Sequence, residues 1–445
     1  MRYLKKFRNA RKLFPLILVL LIFLLLRIPF LNFGKFEWDE CVYLSNSRFF
    51  LGIGKYFEDI RPPLLPIALI PFLSNDLLLR IAPLLFSTLS LISLYFFSEH
   101  FFGRKIAIAA SLLLAFNPLH IFFSTKIFTE IPSSIFIILT FFFLFEWIEA
   151  RDEKEKKRNL SLSALFLSLS VLTRYANVII LVPILIILFL ERRKLKLKEL
   201  SLPLLIFFLC IASFLLSYQL ITRNVFRSLY YAVYWPSVAP AQPPYYYILN
   251  SFQILSSALI FIVLSVYWVL RNKERYESYT LLALLIFFLF FSAFPHKENR
   301  YWLTVLPLCC LFGAFSIRLN KNVFYLLLIL TPLISIYPIY LKTLEYRCSG
   351  EAIVKAGLFL KGKPDGLVLS MFWPEIAYYS NKRVRAFPSD VKDLHDFIRQ
   401  ENVTYIVTST EYGWPDYAKN QTLFSNFTLL EKFEDNCFHV FVYEV

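Results

Sequence analysis

Two short segments carry most of the side chains that could do chemistry. The first reads Phe36-Glu37-Trp38-Asp39-Glu40-Cys41-Val42-Tyr43 and continues to Glu58, Asp59 and Arg61-Pro62-Pro63. The second, His296-Lys297-Glu298-Asn299-Arg300-Tyr301, is a dense run of hydrogen-bond donors. Two more cations stand beside polar or aromatic partners: Lys126 ahead of Thr129-Glu130, and Arg174 ahead of Tyr175. A carboxylate of ordinary acidity is a weak base, but it suffices when the attacking hydroxyl turns acidic late in a reaction. Fixed Lys, Arg or His charge stabilises a phosphate that departs as an anion, and the forked donors of Arg suit phosphate best. An Asp or Glu on one loop, with cations on others, is the equipment for moving a group from a phosphate to a hydroxyl.

These residues lie between long apolar runs. The 445 residues are 58% hydrophobic, with 49 Phe and only 10 Gly, well beyond what a soluble core can bury. The runs are Phe14–Phe33, Ile81–Phe97, Ile106–Phe123, Ile131–Ile148, Leu160–Leu172, Val178–Leu190, Leu202–Ile221, Ile254–Leu270, Leu281–Phe294, Trp302–Ile317 and Val323–Tyr340. They predict an α-helical polytopic membrane protein of about eleven transmembrane helices. Leu64–Leu73 is too short and too proline-rich to span, and reads as interfacial or re-entrant. The run after the basic residues Met1 to Lys12 is long enough to span and reads as a retained first helix.

Charge sets the expected orientation. Placing the N-terminus in the cytoplasm makes Arg2–Lys12, Glu99–Lys105, Arg151–Arg158, Glu191–Glu199, Arg271–Glu277 and Arg318–Lys321 the inner loops. These hold 23 of the 47 Lys and Arg residues, as the positive-inside rule requires. The candidate residues then fall in outer segments: Gly34–Arg80, Ser124–Glu130, Thr173–Asn177, Thr222–Gln253 and Pro295–Tyr301. Three cationic or titratable residues within five positions at His296–Arg300 run against that charge bias. Their alternative reading is cations snorkelling at a helix end; for the first loop it is a solvated polar loop.

Residues 1–341 are read as the membrane domain and 342–445 as a small extracytoplasmic α/β domain. Leu367–Ser370, Tyr405–Thr408 and Val440–Val445 are its predicted strands, and Val391–Arg399 a short helix. Sequons begin there at Asn402, Asn420 and Asn426. Cys348 and Cys437 both lie there, and a disulfide between them is open if the region faces an oxidising exterior. Cys41, Cys210, Cys309 and Cys310 show no metal-ligand spacing.

The order of these features resembles the C-type membrane glycosyltransferases, the superfamily of protein O-mannosyltransferases and aminoarabinose transferases. The resemblance rests on Asp39-Glu40 with Tyr43, Gly54-Lys55-Tyr56, Arg61-Pro62-Pro63-Leu64, Arg80, Ser124 with Thr129-Glu130, Thr173-Arg174, and His296 to Tyr301 ahead of Pro307. It covers the chain from Met1 to about Leu341, and it lies in order and sidedness rather than in any one motif. It implies a polyprenyl-phosphate sugar donor, with a lipid, glycan or protein as acceptor. It implies Asp39 as base or acceptor-positioning group, with Glu40 beside it, and Lys297, Arg300 and Tyr301 as holders of the lipid phosphate. Glu130 and Arg174 are further site residues, and Arg61, Lys126 and His296 complete the substrate-binding set. The repeat domain of eukaryotic O-mannosyltransferases has no counterpart, and Gly413-Trp414-Pro415-Asp416-Tyr417 reads as a turn rather than the Trp-Trp-Asp motif of oligosaccharyltransferases.

A net charge of +15 suggests nucleic acid, but the cations are dispersed in short loops rather than gathered on one folded face, which excludes it. No cofactor is demanded; Glu37, Asp39, Glu40 and His296 could gather a divalent ion. The competing class is a transporter or flippase of lipid-linked sugars. Such proteins place ionisable groups near the bilayer midplane, often in repeated halves, and neither pattern is visible.

Overall fold

The computed structural model describes residues 10–31, 35–238, 240–345, 350–411 and 413–445. The chain divides into two compact units, which are taken in turn.

The first unit comprises Met1–Leu31, Asp59–Leu65 and Arg80–Leu341. Among the described residues, six helices are long and apolar enough to cross a membrane: Leu13–Phe30, Asp76–Phe102, Glu130–Glu149, Leu197–Thr222, Arg275–Ala293 and Lys321–Leu341. Tyr175–Leu190, Ala258–Asn272 and Leu306–Arg318 are apolar but shorter. The protein is thus a multi-pass membrane protein, while its length and composition do not establish eleven spans. The predicted run Ile106–Phe123 shows one reason. It is split into Arg104–Ala115 and Pro118–Phe123, because Asn117 leaves the helical region at φ −68, ψ 121 and caps the second helix through its side chain. A residue before proline disfavours the α region, and proline suits the first helical turn.

Glu130–Glu149 and Glu153–Thr173 form a tight helical hairpin, and Leu197–Thr222 packs on the second of these helices. The Asp152 carboxylate caps that second helix, accepting from the Glu155 backbone N–H at 3.4 Å. Arg104–Ala115 and Ala258–Asn272 both pack on Leu306–Ala314, whose first turn contains Pro307.

The loops predicted to share the inner side do bond to one another. Lys156 donates to the Lys194 carbonyl at 2.9 Å, Lys198 pairs with Glu153 at 2.7 Å, and Arg275 Nε donates to Glu191 at 2.6 Å. Arg318 pairs with Glu277 at 2.5 Å. Segments predicted to lie on the opposite side also meet: Arg227 pairs with Asp59 at 3.1 Å, and Asn299 donates to Gln253 at 3.0 Å.

The second unit comprises Asn32–Glu58, Pro66–Leu79 and Lys342–Val445. Its sheet has the order β2-β1-β3-β5-β4. β1 (Leu367–Ser370) runs parallel to β2 (Arg383–Arg385) and β3 (Val403–Ser409), while β5 (His439–Glu444) is antiparallel to β3 and β4 (Thr428–Glu434). β1 and β3 are almost wholly buried, as near-continuous apolar runs in central strands should be. Ala352, Ala356 and Leu360 of the helix Glu351–Lys361 join their core.

Residues 38–50, expected as loop, form a helix that packs on Trp373–Ser380. Trp38 meets Trp373 edge-on at 4.2 Å, Phe36 N–H donates to Tyr379 Oη at 3.1 Å, and Lys35 pairs with Glu375 at 3.2 Å. Arg48 lies over the Tyr378 ring at 4.0 Å and donates to the Tyr378 carbonyl. Cys437 is disulfide-bonded, and Cys348 lies outside the described residues.

Candidate active site

In the first unit a cluster of charge forms around the carboxylate of Glu130. This residue opens the helix Glu130–Glu149, where the positive end of the helix dipole favours an anion, and it is 1% exposed. Arg174 Nη1, from the extended residue that ends Glu153–Thr173, donates to Glu130 Oε1 at 2.7 Å and to Thr129 Oγ1 at 3.3 Å. Arg300 Nε lies 3.8 Å from the same Oε1. Both guanidinium groups face aromatic rings, Arg174 over Tyr301 at 4.6 Å and Arg300 over Phe128 at 4.5 Å. Such stacking holds the planar fork without consuming its donors.

Glu298 is the second anion. Arg300 grips both its oxygens, with Nη2 to Oε1 at 3.0 Å and Nε to Oε2 at 2.5 Å. Oε1 also accepts from Tyr301 Oη at 3.2 Å and meets His296 Nε2 at 3.0 Å. Burial alone would raise the Glu298 carboxyl; the Arg300 charge and the bonds from His296 and Arg300 outweigh it and hold it well below the usual carboxylate range. Burial, then the Glu298 charge, pushes the Tyr301 phenol up.

The remaining candidates are placed differently. Lys297 is 2% exposed, and its Nζ donates to backbone carbonyls of Phe294, Gln242 (3.0 Å) and Pro295 (3.5 Å). Its own N–H donates to Gln242 Oε1 at 2.5 Å, so Lys297 ties two segments together. Lys126 is buried with its ammonium 5.8 Å from the Phe122 ring centre. The Arg61 carbonyl accepts from Tyr218 Oη at 2.7 Å.

Asp39 and Glu40 belong to the second unit. Both sit in the first turn of Trp38–Phe50. Glu40 is fully buried and its Oε2 accepts the Glu37 N–H at 2.9 Å, one half of a capping box. Asp39 is half-buried in the same turn. Among the described residues no three His, Cys, Asp or Glu side chains gather as metal ligands.

Sequence reasoning overlooked two features. Glu298 stands in the His296–Tyr301 segment, but its role as hub of the donor cluster is not evident from residue type; a carboxylate between a His, a Lys and an Arg is the available signal. Arg27 is fully buried, donating to the Phe23 and Ala115 carbonyls at 2.9 and 3.1 Å and meeting His120 Nδ1 at 2.9 Å. A histidine inside an apolar run was the signal there, since a cation within a membrane must find partners.

A membrane helical unit with such a cluster, and a small α/β unit besides, has the architecture of the C-type membrane glycosyltransferases. It is similar in fold to ArnT from Cupriavidus metallidurans bound to undecaprenyl phosphate, with TM-score 0.73 and 11% identity over 98% of each chain. It is also similar to the archaeal oligosaccharyltransferase AglB from Archaeoglobus fulgidus in complex with an inhibitory peptide and a dolichol-phosphate. There the TM-score is 0.59 and the identity 15%, over 91% of this chain and 70% of that one. The Alg9-like mannosyltransferase family matches residues 13–345, and the chain belongs to that family. No curated protein sequence matches it.

Proposed function

We propose that the protein transfers a hexosyl or pentosyl group from a polyprenyl-phosphate donor to an acceptor hydroxyl at the outer face of the membrane. The observation that carries this reading is the pair of guanidinium groups, Arg174 and Arg300, converging on one carboxylate oxygen at 2.7 and 3.8 Å. Two forked cations at one point, both backed by aromatic rings, suit a phosphate that gains charge as it leaves. The solved neighbours bound to undecaprenyl phosphate and to a dolichol-phosphate support the same donor class.

In the proposed reaction the acceptor oxygen forms a bond to the anomeric carbon as the bond from that carbon to the phosphate oxygen breaks. The hydroxyl proton passes to a carboxylate base, the role that the resemblance implies for Asp39, and the bonding pair leaves on the phosphate, the group that Arg174 and Arg300 suit. Glu40 acts through its cap, keeping the first turn of Trp38–Phe50 in place. Lys297 acts as an anchor of the Pro295–Tyr301 segment, and Lys126 and Arg61 support the donor side.

The test is product formation by purified protein in lipid, given polyprenyl-phosphate hexoses or pentoses and membrane extracts as acceptor source. Sugar transfer with release of polyprenyl phosphate is expected. Movement of intact donor between leaflets without release would overturn the reading in favour of a flippase.

A further inference from the structure

The charges of the cluster balance in pairs. Arg174 faces Glu130, and Arg300 faces Glu298. A phosphate entering this arrangement would meet two carboxylates, so one of them must give way, and the structure distinguishes the two. Glu130 is 1% exposed, sits at a helix N-terminus, and is engaged by Arg174 and Thr129. The Glu298 side chain is 34% exposed, and among the described residues all partners of its carboxylate are side chains: Arg300, His296 and Tyr301. The Glu298 backbone is held separately. Its carbonyl accepts from the Tyr301 N–H at 3.2 Å and from Tyr247 Oη at 3.4 Å. The carboxylate can therefore swing away by rotating its own side chain while the backbone stays put.

The donors that converge on Glu298 are a guanidinium fork, an imidazole nitrogen and a phenol hydroxyl, three groups suited to the oxygens of a phosphate. His296 Nδ1 is moreover buried with no partner, so the imidazole has a second polar atom available when the first is released.

We propose that Glu298 is a resident anion that stands in for the lipid phosphate: substrate displaces it from Arg300, His296 and Tyr301, and its return helps expel the spent polyprenyl phosphate. This rests on the function proposed above and assigns Glu298 as a positioning residue in that site. The empty site is thereby kept from retaining any passing phosphate, and product release is assisted by an intramolecular competitor whose effective concentration is high.

Glu298→Gln keeps the shape and removes the charge. Binding of undecaprenyl phosphate to the detergent-purified protein is then expected to tighten about tenfold, the factor that about 1.4 kcal/mol represents. KM for the donor and kcat should fall together, because release becomes slow. Glu298→Asp restores the charge and should return affinity towards wild type. If Glu298 only props Arg300, the Gln variant binds undecaprenyl phosphate no tighter, or more weakly, with raised KM, and the proposal is overturned. A fall in thermal stability without tighter binding counts against it equally. Wild-type protein that neither binds undecaprenyl phosphate nor transfers sugar would sink the underlying function instead, so the two failures are distinguishable.

Discussion

The pairing of Glu130 with Arg174 can be measured apart from catalysis. Arg174→Ala strips a 1% exposed carboxylate of its nearest cation. Breaking a buried pair from one side costs about 3–5 kcal/mol. The low end applies, because Arg300 at 3.8 Å and the Thr129 hydroxyl at 3.5 Å remain beside Glu130. Loss of the stacking over Tyr301 adds about 0.5–1 kcal/mol. Glu130→Gln should cost only about 1–2 kcal/mol, since Arg174 keeps Thr129 and the ring. Removing both charges leaves no orphan, and the double variant should lose about 3 kcal/mol rather than the roughly 5 that independent effects would give. The expected coupling is thus about 2 kcal/mol, within the range for residues in contact. The assay is thermal or denaturant unfolding of the four proteins in one detergent, followed by the fraction that stays monodisperse. Additivity to within about 0.5 kcal/mol would show that the pair is not a coupled unit, and the electrostatic account of the cluster would fall with it.

Three other outcomes are expected. Asp39→Asn should reduce turnover by about 10²–10⁴-fold with expression intact, whereas Glu40→Ala, which removes the acceptor of the Glu37 N–H, should lose about 0.5–2 kcal/mol of stability through its cap while folded protein stays active; near-normal turnover of purified Asp39→Asn would remove that residue from catalysis. Single cysteines at the exposed positions Lys273 and Asp365 should label from opposite sides, Lys273 from the cytoplasm, and labelling of both from one side would refute the proposed orientation. The Glu411 carboxyl, which burial alone would raise, is pulled down to about 2 by the His439 N–H and by the Thr410, His439 and Ser409 side chains. Its folded pKa being depressed, its stabilising contribution is present above the ordinary Glu value of about 4.3 and lost as pH falls towards about 2. Acid unfolding of Glu411→Gln should therefore be shallower over that interval, and identical curves would show that the bonds carry no stability.

The sequence was legible where one physical requirement dominates. Apolar length marked the helices, and alternating basic loops sorted the segments that now bond to each other, such as Lys156 with Lys194 and Arg318 with Glu277. β1 and β3 showed as apolar runs because both are buried centrally. β2 and β4 did not, since Arg383-Val384-Arg385 and the largely exposed Thr428–Glu434 have solvent to satisfy their polar side chains. The helix Trp38–Phe50 was hidden because its apolarity is modest and its partner lies far along the chain. In the cluster, Glu130, Arg174, Arg300, Tyr301 and His296 were picked out as types with no partners, and the structure brings them together. What could not be read was which donors are already spent. Lys297 looks like a phosphate ligand in sequence, yet its ammonium is occupied by carbonyl oxygens.

The helix Trp38–Phe50 also has a consequence for biogenesis. Its dock includes Tyr379, whose hydroxyl accepts a bond from a backbone amide 343 residues earlier. At roughly 5–20 residues per second, synthesis of that interval takes on the order of 17–70 s. Throughout that time Phe36 and Trp38 lack the contacts with Tyr379 and Trp373 that they make in the finished protein. The nascent first loop is thus a natural client for a chaperone on whichever side it emerges. A ribosome that stalls before Trp373 leaves a polypeptide whose spans can insert while Asp39 is still unseated. With Asp39 in its proposed role, activity would switch on only when the last quarter of the chain arrives, and no partial product of translation would act on the proposed donor.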